Sequence, residues 1–165
     1  MGSSRKAKTM ITIKDINNKV LKEIDADNLQ GANLIGANLE RANLVGANLR
    51  ESDLRGANLK ESDLRRADLR KSDLRGVNLA GATLPTGEKY EKYLAEVVPA
   101  LLMAGGKTLA EVVNEEVWNC HEWTICPMAV AFGVHKLSDI PLLYRPRVEQ
   151  FIQLFDAGLI PMPKV

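Results

Sequence analysis

From residue 24 to residue 84 an apolar side chain returns at every fifth position: Leu29, Leu34, Leu39, Leu44, Leu49, Leu54, Leu59, Leu64, Leu69, Leu74, Leu79 and Leu84, with Ile24 as the expected first member. A period of five fits neither an amphipathic helix, which repeats near 3.6 residues, nor a half-buried strand, which repeats at 2. Two positions before most of these leucines the side chain is small: Ala32, Ala37, Ala42, Ala47, Ser52, Ala57, Ser62, Ala67, Ser72 and Ala82, with Val77 the larger exception. The residue directly before each leucine is Asn or Asp from Asn28 through Asn78. The period must come from a higher-order repeat, with two inward and three outward positions in every five.

The flanks follow other periods. Residues 10–25, MITIKDINNKVLKEID, predict two short strands joined at Asn17-Asn18, a pair that tolerates the left-handed backbone of a tight hairpin. A solenoid end exposes unpaired strand edges, so the hairpin is expected to cap it. Beyond Leu84, Tyr90, Tyr93, Leu94, Val97, Val98, Leu101 and Leu102 fall at helical spacing, with Thr86 as the expected N-cap, Gly105-Gly106 as the stop and a kink at Pro99. Thr108 and Glu111 have the spacing of a capping box that opens a helix carrying Val112, Val113 and Val117. Pro127 suits the first turn of a third, all-apolar helix. A last helix is expected from Pro146 to Gly158, burying Val148, Phe151, Ile152 and Phe155.

The A-[N/D]-L-x-x units resemble those of the pentapeptide-repeat proteins. That resemblance implies a right-handed quadrilateral β-helix, with four units to a coil and the leucine and small residue filling its interior. About three coils stacked at the strand spacing give a rod only ~15 Å long, in which Leu34, Leu54 and Leu74 lie one above another. The expected organisation is a flexible tail at 1–9, the hairpin cap at 10–25, the β-helix at 24–85 and a small α-helical domain at 86–165, to which the resemblance does not extend. The fold class is thus β-solenoid plus α.

Composition narrows the function. The chain has 165 residues, 45% hydrophobic and 26% charged, an ordinary globular balance. No run approaches the ~18 apolar residues of a membrane span. The start MGSSRKAKTM has no apolar signal core, and Lys6 stands where a myristoylation motif wants Ser or Thr. Two cysteines without a signal place the chain in a reducing cytoplasm. Residues 22–87 carry ten basic and ten acidic side chains, residues 1–21 five and one, residues 88–165 seven and ten. Some pentapeptide-repeat proteins resemble DNA in shape and charge and bind type II topoisomerases such as gyrase. A neutral rod lacks the negative surface that such mimicry needs.

Catalytic vocabulary is confined to Cys120, His121, Cys126 and His135. Their spacing is not that of a standard zinc knuckle, so no metal and no cofactor is expected. Cys126 before Pro127 fits a helix N-terminus, where a thiol could be activated by His121 or His135, but no oxyanion device accompanies it. The stronger reading makes these cysteines small hydrophobes and Trp118 and Trp123 core or interface residues. On the repeats, residues twenty apart are vertical neighbours: Glu51 over Lys71 and Arg41 over Glu61 pair opposite charges, while Arg50 with Arg70 and Arg55 with Arg75 stack like charges. Either Asp53, Asp68 and Asp73 neutralise these arginines into a solvated face, or the strip meets an acidic partner beside the bare column Gly36, Gly56 and Gly76.

The reading is therefore a non-enzymatic protein-interaction module of bacterial or phage accessory type. Its candidate face is Asp53, Arg55, Gly56, Asp73, Arg75, Gly76, Arg50 and Arg70, directed at a protein partner and not at nucleic acid or membrane, with homodimerisation open. A gyrase-binding DNA mimic and a cysteine-dependent enzyme stand as alternatives.

Overall fold

The computed structural model describes residues 9–26, 28–113, 118 and 126–162. The chain divides into two compact units, Met1–Gly87 and Glu88–Val165. The first opens with strands β1 (Met10–Lys14) and β2 (Val20–Asp25), an antiparallel pair with a bulge at Ile13/Lys14. The connection runs from Asp15 to Lys19, longer than the expected two-residue turn. Asp15 explains this: its Oδ1 accepts the N–H groups of Asn17 at 2.8 Å and Lys19 at 2.9 Å, which stabilises the wider loop. Asn18 alone takes a left-handed backbone, φ 65°. Ile24, expected as the first repeat position, instead pairs with Ile11 in the hairpin.

From Asn33 onward the chain returns on itself every twenty residues, through parallel bridges that include Asn33 with Asp53, Asp53 with Asp73, Asn38 with Asn58 and Asn58 with Asn78. The leucine N–H of one turn donates to the next, as from Leu34 to the Asp53 carbonyl at 2.8 Å, and Asp53 N–H donates back to Ala32 at 3.0 Å. Between bridges the backbone turns a corner. Every fifth residue from Gly31 to Gly81 has positive φ, and five of these corners are the charged residues Arg41, Glu51, Glu61, Arg66 and Lys71. Left-handed backbone is free for glycine and sterically costly for the others, so the corner geometry is imposed by the stack.

The interior follows the sequence code. Leu34, Leu39, Leu49, Leu54, Leu59 and Leu64 are fully buried, each contributing about 1.5–3 kcal/mol by leaving water, with Ala42, Ala57, Ser52 and Ser62 buried beside them. Ser52 and Ser72 donate their hydroxyls to the carbonyls of Leu49 and Leu69, whereas the Ser62 Oγ has no hydrogen-bond partner among the described residues. The hairpin meets one side of the first turn: Asn43 N–H donates to Lys14 O at 2.8 Å and Ile16 N–H to Arg41 O at 3.1 Å. It thereby satisfies groups that an upstream turn would otherwise take.

The second unit is helical. α1 (Tyr90–Lys92), a wide turn at Tyr93–Val97 and α2 (Val98–Met103) run on without a break. Lys89, not Thr86, stands at the N-cap. At Pro99 the helix widens upstream, because proline has no N–H to donate and its ring crowds the carbonyl four residues back. A Cβ on Gly105 would lie 1.8 Å from the Ala131 carbonyl oxygen, so only glycine permits this approach. α3 (Leu109–Val112) is a single turn in which the Glu111 carboxylate accepts both the N–H and the hydroxyl of Thr108 at 2.7 Å. Val113 is already extended and Val117 lies outside the described residues. α4 (Pro127–Phe132) ends at Gly133, φ 62°.

α5 (Arg145–Asp156) has Pro146 in its first turn and buries Val148, Gln150, Phe151, Leu154 and Phe155. Ile152, expected inside, is half-buried, and Leu154 takes the inner position. Trp118 meets Phe151 and Phe155 edge to face at 6.1 and 5.3 Å, and the two phenylalanines stack at 5.5 Å. Tyr93 Oη donates to Arg147 O at 2.9 Å, and Tyr90 Oη donates to Leu159 O. Burial raises both phenols above their ordinary value.

Candidate functional site

In each repeat the Asn or Asp before the leucine accepts the N–H two residues on. Asn33, Asn38, Asn43, Asn48, Asn58 and Asn78 do so through Oδ1 at 3.1–3.3 Å. Where Asp stands and Arg follows by two, the same carboxylate also grips the guanidinium. Asp53 Oδ1 accepts Arg55 Nε–H at 2.9 Å and its Oδ2 accepts Nη2–H at 2.6 Å. Asp63 holds Arg65, Asp68 holds Arg70 and Asp73 holds Arg75 in the same two-pronged way. Arg50 follows Asn48 instead, and its Nη1 lies 3.9 Å from Asp68.

The candidate residues Asp53, Arg55, Asp73 and Arg75 are thus brought together. Arg55 Nε also lies 3.7 Å from Asp73 Oδ2, so a carboxylate separates the two stacked arginines and the column alternates in sign. Hydrogen bonding by Arg75 holds the Asp73 carboxyl at about 2, Arg70 does the same for Asp68, also at about 2, and Arg55 lowers Asp53. The same bonds raise Arg55, Arg65 and Arg75. Gly56 and Gly76 are exposed left-handed corners, and a Cβ on Gly76 would meet only the Gly56 backbone, at 3.8 and 3.9 Å. Lys71 and Glu51 approach to 4.0 Å as expected. Glu61, expected under Arg41, instead pairs with Lys60 at 3.6 Å, and Lys60 also reaches Glu40 at 3.6 Å. The spacing Asp-Leu-Arg carried the signal for the two-pronged grip, which sequence reasoning saw only as charge balance.

In the helical unit Cys126 is buried at the N-cap of α4, and His135 lies exposed beyond that helix. Cys120, His121 and Trp123 lie outside the described residues. No group of three or more His, Cys, Asp or Glu among the described residues could hold a metal ion. None of the described helices is long and apolar enough to cross a membrane.

The twenty-residue return, the leucine-lined interior and the asparagine ledge define a solenoid of five-residue units, and the family described as Pentapeptide repeats (8 copies) matches residues 28–61 and 62–85. Residues 28–85 are pentapeptide repeats; the helical residues beyond them are not covered by that match. Among solved structures, the chain is similar to HetL, a pentapeptide repeat protein involved in heterocyst differentiation regulation from the cyanobacterium Nostoc sp. strain PCC 7120. The identity is 36% over 36% of this chain and 33% of that one, with a TM-score of 0.30. The match therefore spans about a third of the length of HetL. No curated protein is similar to the chain.

Proposed function

We propose that the repeats act as a rigid, non-enzymatic protein-interaction module. The winding we infer is four-sided, of about three coils, because five-residue units return at twenty residues, and right-handed, as the resemblance to pentapeptide-repeat proteins implies. In this reading the hairpin Met10–Asp25 is the N-terminal cap, residues 86–165 form the helical domain, and the protein is a cytoplasmic accessory protein of bacterial or phage type. The observation that supports a recognition role is the fixed surface. Asp53, Arg55, Asp73 and Arg75 hold one another in place next to bare Gly56 and Gly76, and Asp68 separately holds Arg70 and lies 3.9 Å from Arg50. A surface ordered before binding loses little side-chain entropy on binding.

The test is capture from bacterial lysate by wild type and by Arg55→Ala/Arg75→Ala. Circular dichroism should match while partner recovery falls in the variant, and rising salt should weaken the wild-type complex. Unchanged recovery would assign this face to solvent. DNA mimicry is disfavoured by the ten basic and ten acidic side chains of residues 22–87, and purified protein should leave gyrase supercoiling unaltered. A thiol enzyme is disfavoured by the buried Cys126, whose alkylation should be slow near neutral pH.

A further inference from the structure

The grip of aspartate on arginine uses only one edge of each guanidinium. In Arg55 and Arg75 the Nε and Nη2 groups face Asp53 and Asp73, and no acceptor is seen for Nη1 of either residue among the described residues. Both side chains remain about half or more exposed, at 47% and 66%. Arginine has five N–H donors in a rigid plane, so fixing one edge orients the Nη1/Nη2 edge outward. The two planes belong to adjacent turns, which stack at about 4.8 Å. Ile35, half-exposed, occupies the same column one turn before Arg55, and the glycine corners leave the flank open.

We infer that the outward guanidinium edges of Arg55 and Arg75, aimed by Asp53 and Asp73, form a docking row for an acidic peptide segment. The inference rests on the proposed docking face and adds its chemistry. Carboxylates suit the row because each can take two parallel N–H bonds from an end-on guanidinium. Ile35 supplies an apolar contact that a peptide side chain can use and a phosphate backbone cannot.

Fluorescein-labelled hexaglutamate, alone and extended by one leucine, is the probe, and anisotropy at low salt is the readout. Wild type should bind both, the leucine-bearing peptide more tightly. Arg55→Ala/Arg75→Ala should weaken both by about tenfold, and Ile35→Ser should remove only the advantage of the leucine. Asp53→Asn/Asp73→Asn gains two positive charges, yet should bind no tighter than wild type, because the arginines lose their hold. Undiminished binding by the arginine variant, tighter binding by the aspartate variant, loss of both peptides equally in Ile35→Ser, or preference for a short DNA duplex over the peptides would each overturn the inference. Should lysate capture depend on Arg55 and Arg75 while wild type ignores hexaglutamate, the docking face stands and this chemistry falls.

Discussion

The two units are stabilised by different kinds of information. In residues 28–85 the ladder bonds all span nearly the same sequence distance, and one leucine environment is used again and again. In residues 88–162 the fixing contacts are each unique: Tyr90 to Leu159, Tyr93 to Arg147, Arg147 to Glu88 at 2.8 Å, Trp118 to Phe151 and Phe155. Every aromatic residue of the chain lies beyond Gly87. A tube that admits one leucine and one small side chain per unit has no room for a ring, whereas helices crossing at irregular angles leave spaces that rings fill. Repetition makes the first unit tolerant of surface change and strict about its interior; the second depends on a few large side chains.

The largest effect should come from breaking the interior code. Leu59→Lys places an unpaired charge where exposure is nil and should cost about 5 kcal/mol, while Lys60→Ala next to it should cost under about 0.5. Far-UV circular dichroism in urea measures both, and equal midpoints would show that the register is wrong. In the helical unit Phe151→Ala should cost about 3 kcal/mol, since it leaves a cavity under Trp118, and Glu149→Ala should stay within about 0.5. Tryptophan fluorescence follows this unit alone, because the repeats contain none.

Smaller effects probe how uniform the repeats are. Ser52→Ala loses the bond to Leu49 O and should cost about 1 kcal/mol, whereas Ser62→Ala removes a buried hydroxyl that lacks a partner among the described residues and should stabilise by up to about 1. Equal changes of one sign in chemical denaturation would make the two sites equivalent. The smallest effect is that of pH. Asp68 and Asp73 titrate at about 2 when folded against 3.8 ordinarily, so their stabilisation is complete above about 3.8 and is lost as pH falls through about 2. The melting temperature followed by far-UV dichroism should fall between pH 4 and 2, and Asp68→Asn/Asp73→Asn should flatten that fall.

The sequence by itself determined the five-residue code, the inward leucines and small residues, and which charges share a column, because in a solenoid each residue meets the one a fixed distance along the chain. It also located the capping of α3 by Thr108 and Glu111 and the stop at Gly158, which are local, whereas the end of α4 at Gly133 came only with the structure. Only the tertiary structure decided the rest. Asp15 set the hairpin loop through two amides, Lys60 rather than Arg41 took Glu61, and Leu154 rather than Ile152 turned inward beside Phe155. Above all it decided the orientation of Arg55 and Arg75. Charge pairing is legible in one dimension, but which edge of a guanidinium is held, and which is left to face a partner, depends on the angle at which the backbone presents Asp53 and Asp73.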